Sequence, residues 1–119
     1  MRGLAALAAV YGALGVALGA FGAHALNGTL DEAALRVWHT AVEYQLWHAV
    51  ALLIVSVALP ASTWRRTSAF AFAAGIALFC GSLYALALGA PRIVGAITPL
   101  GGVALILGWL SLVPALRRA

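Results

Sequence analysis

The sequence predicts an all-α integral membrane protein, a single domain (residues 1–119) folded as a bundle of four transmembrane helices. Three observations carry that expectation. Of 119 residues, 65% are hydrophobic and only 8% charged, against roughly 25% charged in an average soluble domain. Apolar runs follow one another, each long enough for the about 20 residues that cross a bilayer. The breaks between them carry turn residues: Asn27-Gly28, Pro60-Ala61-Ser62 and Gly89-Ala90-Pro91. Four spans use nearly the whole chain, which leaves no soluble domain.

The first span is expected over residues 4–26. Met1-Arg2 before an apolar stretch and the small-x-small Ala23-His24-Ala25 imitate a signal peptide. The run from Gly3 to Ala23 is longer than the usual core of about 7–15 residues, so the segment is expected to stay as a span. Gly12, Gly15, Gly19 and Gly22, with Ala8, share one face at helical spacing. In lipid, such a small-residue stripe lets helix backbones approach closely, within one chain or between copies in a homo-oligomer.

The second span is expected over residues 33–59. Thr29-Leu30-Asp31-Glu32 has the form of a capping box, with the Thr hydroxyl taking an amide three residues on and Glu32 reaching back. A helix unbroken from that cap to Leu59 has about 30 residues and a length of about 45 Å. The hydrocarbon core is roughly 30 Å thick, so the first turns belong at the outer interface, or the helix bends.

The third span is expected over residues 67–88, with Gly81, Ala85 and Gly89 as a shorter small-residue stripe. The fourth is expected over residues 93–116. There Thr98-Pro99 removes a backbone donor and favours a kink, with Gly101-Gly102 leaving room for it. The two halves of the chain share no motif beyond generic Gly and Ala, which argues against a transporter built from repeats.

The formal net charge of +4 comes from seven arginines and no lysine against Asp31, Glu32 and Glu43. The arginines sit at the edges of apolar runs, which speaks for topology signals and against a nucleic-acid surface. With both termini cytoplasmic, the inner side holds Arg2, Arg65, Arg66, Arg117 and Arg118, and the outer side only Arg36 and Arg92. That bias predicts both termini inside, with Trp64 and Trp109 as interfacial anchors on the same face. Membrane lipids are the expected surroundings. Cys80, the only cysteine, reads as a small buried thiol.

The second span carries the chemistry. Arg36, His39, Thr40, Glu43, Tyr44, Trp47 and His48 occupy one half of the helix circumference, and ionisable groups in a bilayer are tolerated where they pair or line a polar site. The arc is therefore expected to face the bundle interior, a subunit contact or a water-filled pocket. His39 and Glu43 are four apart, as are Tyr44 and His48, so two local hydrogen-bonded pairs are expected.

Four readings follow. A lipid-like or other small ligand is held in a polar pocket between the first two spans, formed by His24, Trp38, His39, Glu43, Tyr44, Gln45, Trp47 and His48. A metal ion is bound by His24, His39 and Glu43. Protons are exchanged through Glu43 and its neighbours in coupled transport, which needs a dimer to complete a path. Or the polar residues satisfy one another and only fix how the first two helices dock. No cofactor is indicated. Ser56, Ser62, Ser68, Ser82 and Ser111 lack an acid–base partner in sequence context, and no Gly-rich loop precedes a Lys, so no enzyme is expected.

Gly19-Ala20-Phe21-Gly22-Ala23-His24-Ala25-Leu26, then Trp38 to Ala49, Leu78-Phe79-Cys80-Gly81-Ser82-Leu83-Tyr84, and Thr98-Pro99-Leu100-Gly101-Gly102 with Gly108-Trp109 occur in that order. In these residues the chain resembles the DUF423 family, also called UPF0382, of small bacterial inner-membrane proteins. The resemblance spans nearly the whole chain. It implies a four-helix membrane protein and brings no reaction or catalytic residues with it. His24, Gln45 and His48 match the family pattern, whereas Glu43 stands where Gln is often expected.

Overall fold

The structure, a computed structural model, describes residues 1–117; Arg118, counted above with the inner-side arginines, lies outside them. Four helical rods cross the molecule, and each is long and apolar enough to span a membrane. Helix α1 is Arg2–His24 and α2 is Glu32–Ala58. The third rod is α3, Thr63–Gly75, then a π-helical turn, Ile76–Cys80, then α4, Gly81–Ala87. A 3-10 turn, Arg92–Ala96, leads into α5, Ile97–Arg117. The Cα envelope measures 49 × 26 × 19 Å. The all-α, four-span expectation holds, with all four spans beginning one to four residues earlier than expected.

The ends of the rods follow local chemistry. The cap of α2 is Asp31, whose carboxylate accepts from the Ala34 amide at 2.8 Å, while the Thr29 hydroxyl donates back to the Ala25 carbonyl. The expected Thr29 cap is therefore replaced by an Asp two residues later, at the first position whose extended backbone aims an oxygen at a free amide. Ser62 caps α3 by accepting from the Arg65 amide at 3.0 Å. Arg65 in turn closes α2, donating from Nε to the Val55 carbonyl and from Nη2 to the Ser56 carbonyl, at 3.2 and 2.8 Å. These are two of the last four carbonyls, which have no partner within the helix. Gly28 and Gly89, with φ of +92° and +99°, turn the chain between spans.

Helix α2 is the centre of the bundle. Half of its membrane window is buried, against 11% for α1 and 17% for the fourth rod. Helix α1 packs along α2, α2 against the third rod, and the third rod along α5. The main core gathers Leu52, Val55, Phe72, Ile76, Cys80 and Leu105 between α2 and the last two rods, and Trp38, Val42 and Leu26 form a smaller cluster toward the α1–α2 loop.

Glycines set the two closest seams, and one of the expected stripes is moved. Gly15, Gly19 and Gly22 face Leu46, Val42 and Trp38 of α2, as the stripe on α1 requires, but Gly12 has open space beside it. On the third rod Gly81 is also open, and Gly89 sits in the turn. The seam there is built by Gly75 against Leu105, Gly101 against the backbone of Phe79, and Gly108 against the ring of Phe72. The reason lies in the π turn. Its extra residue rotates everything that follows relative to an unbroken α-helix and widens the rod at Phe79. Only a residue without a side chain fits opposite that bulge.

Pro99 makes no mid-span kink, because α5 starts at Ile97 and places it in the first turn, where its missing N–H costs nothing. Pro114 is the proline inside the helix, three residues before its end.

Candidate functional site

The residues around Gln45 form the densest polar cluster in the bundle. Gln45 is 3% exposed. Its Nε2 donates to the Tyr11 carbonyl of α1 at 2.8 Å, and its Oε1 accepts from the Tyr84 hydroxyl of α4 at 2.7 Å. The Tyr11 hydroxyl donates to the Ala73 carbonyl of α3 at 2.8 Å. One turn along α2, His48 closes the fourth connection: Trp109 of α5 donates from Nε1 to His48 Nε2 at 3.1 Å. An indole N–H can only donate, so His48 Nε2 is the accepting nitrogen and the proton sits on Nδ1. That Nδ1–H donates to the Tyr44 carbonyl at 2.6 Å. Both ring nitrogens are thereby used, and the accepting Tyr44 carbonyl and the donating Trp109 indole require the same tautomer.

Around this network the rings pack closely. Tyr84 meets Trp38 edge-on at 4.7 Å between centroids, and Trp109 meets Phe72 edge-on at 5.2 Å. Tyr44 lies over His48 at 5.8 Å and against Phe79 at 4.7 Å. Trp38 donates from its indole to the Leu18 carbonyl at 2.9 Å. Helix α2 is thus tied by side-chain hydrogen bonds to α1, α4 and α5, with Tyr11 adding a bond from α1 to α3. The buried polar side chains of the cluster, Gln45 and His48, are bonded to protein, which makes it a joint between helices, while the half-buried Tyr44 hydroxyl has no hydrogen bond to the described residues. The orphan buried side-chain polar atom among the described residues is Ser56 Oγ, further along α2.

Several expectations for α2 are corrected here. Its buried face is centred on Gln45, with Ala41, His48, Ala49 and Leu52 beside it. That direction is rotated by roughly 150° from the centre of the expected polar arc, at 100° per residue. Arg36, His39, Thr40, Glu43 and Trp47 are exposed, Trp47 at 57%. Small Ala41 and Ala49 let α2 approach its neighbours, whereas the charged residues stand nearer its N-terminal end, and near a helix end long side chains reach the interface.

His24 is exposed at the end of α1. Among the described residues no three His, Cys, Asp or Glu side chains are gathered to hold a metal ion, so His24, His39 and Glu43 do not converge. The Tyr44–His48 pair is made, but through the Tyr44 carbonyl and not its hydroxyl. The seam between the first two spans, expected as a polar pocket, is filled by Trp38, Val42 and Leu46 against the α1 glycines. Trp109, expected as an interfacial anchor, lies eight residues, about 12 Å, before Arg117 and spends its indole N–H on His48.

Open space lies elsewhere. A groove of about 690 Å³ opens where α1 begins beside the start of α3. Met1, Gly3 and Leu4 form one wall, Ala61, Ser62 and Thr63 the end, and Arg65, Arg66 and Phe70 the other wall. Leu4 and Phe70 make it apolar toward the span, and Arg65, Arg66 and the two hydroxyl residues make it polar toward the helix ends. None of these residues was expected in a site. Their signal was present in Arg65-Arg66 beside Trp64, which reads equally as a topology mark. Tyr11 and Tyr84 were also missed as partners of Gln45. A tyrosine deep in a Gly- and Ala-rich span is the available signal, since its hydroxyl needs a partner there.

A family described as "Protein of unknown function (DUF423)" matches residues 18–102. The chain belongs to the DUF423 family. Among relatives, the UPF0382 membrane protein YwdK of Bacillus subtilis is 46% identical over 112 residues, covering 92% of this chain and 91% of the relative. The UPF0382 inner membrane protein YgdD of Escherichia coli is 44% identical over 113 residues, covering 92% and 86%. A UPF0382 membrane protein of Haemophilus influenzae is 45% identical over 107 residues, covering 89% and 86%. No solved structure matches. The DUF423 match takes in Trp38, Gln45, His48 and Tyr84 of the joint, and the part of the groove that α3 supplies.

Proposed function

We propose that this DUF423 protein is a multi-pass inner-membrane protein, both termini cytoplasmic, that holds a lipid-like amphiphile in the groove between the start of α1 and the start of α3. The observation that carries the reading is the groove itself, about 690 Å³ with an apolar wall and a polar, cationic end, within the size range of small-molecule sites. The orientation rests on the arginines: Arg2, Arg65, Arg66 and Arg117 against Arg36 and Arg92. The relative named an inner membrane protein supports the location. The Gln45–His48 joint serves this function as scaffold.

The test is native mass spectrometry of protein extracted in a mild detergent. One lipid-like molecule per protomer is expected to stay bound, and to be lost in Ala61→Trp, which fills the groove from an exposed loop position. A heterogeneous lipid load unchanged by Ala61→Trp sinks the reading.

A further inference from the structure

The groove has a charge pattern that selects among amphiphiles. Arg65 and Arg66 both line it, and no acidic residue does. The three acidic residues are far off: Asp31 and Glu32 begin α2 at its opposite end, and Glu43 lies 16 residues, about 24 Å, from Leu59 along the helix. The two arginines differ in what they have left to offer. The Arg65 guanidinium already donates to the Val55 and Ser56 carbonyls, which fixes it in place with part of its five-donor fork unused. Arg66 is exposed, and its guanidinium makes no hydrogen bond to the described residues. Thr63 adds a hydroxyl at the same end. Trp64, 41% exposed, stands beside them as an interfacial ring does at headgroup depth. Toward the span, Leu4 and the exposed ring of Phe70 offer a surface on which an acyl chain can lie.

Resting on the groove reading above, we propose that the amphiphile is an anionic phospholipid, its phosphate taken by Arg66 with Arg65 and Thr63 beside it and its chain laid along Leu4 and Phe70. The fork of a guanidinium matches two phosphate oxygens at once, which an ammonium cannot do. Arg66 is the selecting residue, because Arg65 is committed to closing α2. Loss of Arg65 therefore disturbs the fold as well as the site, and loss of Arg66 does not.

The experiment places wild type, Arg66→Gln, Arg66→Lys and Arg92→Gln in nanodiscs of equal parts phosphatidylglycerol and phosphatidylcholine. The lipids that remain on the protein are weighed after release into the gas phase. Wild type is expected to be enriched in phosphatidylglycerol. Arg66→Gln loses about five-fold of that enrichment, the worth of one basic residue at an anionic surface. Arg66→Lys keeps part of it, and Arg92→Gln, at the other end of the bundle, keeps all of it. Retention of lipid without charge preference overturns the anionic assignment and leaves the groove reading standing. Retention of no lipid overturns both. Equal thermal stabilisation by inorganic phosphate and by phosphatidylglycerol in detergent overturns the lipid assignment in favour of a free anion.

Discussion

Replacing Gly101 by Ala tests the account of the seam between the last two rods. An alanine Cβ at that position lies 2.7 Å from Phe79 Cα and 2.8 Å from Phe79 Cβ. Carbon atoms in ordinary contact are about 3.5–4.0 Å apart, so the rods must separate by roughly 1 Å. The obstacle is backbone inside the π turn and cannot rotate aside. Overpacking of this kind costs about 1–3 kcal/mol. The usual gain of Gly→Ala in a helix offsets little of it, because the separated helices stay helical in the membrane. A net loss of about 2 kcal/mol, some thirty-fold in the folding equilibrium, is expected. Gly12→Ala and Gly81→Ala meet nothing within 4 Å and are expected within about 0.5 kcal/mol of wild type. The assay is reversible unfolding in mixed micelles by added dodecyl sulfate, followed by tryptophan fluorescence and far-ultraviolet circular dichroism. A Gly101→Ala protein as stable as wild type, or a Gly12→Ala protein as weakened as Gly101→Ala, refutes the reasoning.

Two further outcomes concern the joint on α2. A double-mutant cycle between Gln45→Leu and Tyr84→Phe, read by the same titration, is expected to show a coupling of about 0.6 kcal/mol and at most about 1.7, the span measured for hydrogen bonds between membrane helices; zero coupling means the 2.7 Å contact contributes nothing. Nitrogen NMR of His48 is expected to show the proton on Nδ1, and to show it there still in Trp109→Phe, because the Tyr44 carbonyl can only accept. A proton on Nε2 in the wild type contradicts the Trp109 bond.

The number of spans was readable in the sequence because membrane insertion depends on properties that need no partner: length, hydropathy, and turn residues at the breaks. The glycines of α1 were readable for a similar reason, since a stripe on one face records the face even when the neighbour is unknown; Gly15, Gly19 and Gly22 pack as expected. Gly12 shows where that logic ends. It lies at the edge of the stripe, about 60° from Gly15 at 100° per residue, whereas Ala8, nearer the centre of the stripe, is buried. The third rod was misread at Gly81 because helical spacing assumes one residue period throughout, and the π turn at Ile76–Cys80 breaks it. Nothing in Ile76-Ala77-Leu78-Phe79-Cys80 announces that break.

The joint was half legible, and the missing half has a physical cause. Gln45 and His48 were marked as polar groups in an apolar helix, and both are buried and bonded. The ionisable residues around them suggest a phase only on the premise that charge in a membrane helix points inward. That premise is about the hydrocarbon centre. His39 and Glu43 lie in the N-terminal half of α2, and toward a helix end a charged group meets headgroups or water at little cost, so they carry little information about which face packs. Small residues carry more: Ala41 and Ala49, with Gln45 midway, mark the side on which backbones approach. The groove was hidden for a related reason. Arg65 and Arg66 are worth the same to topology whether or not they line a cavity. Only the meeting of two helix starts 61 residues apart in sequence turns one of them into a clamp on α2 and leaves the other facing open space.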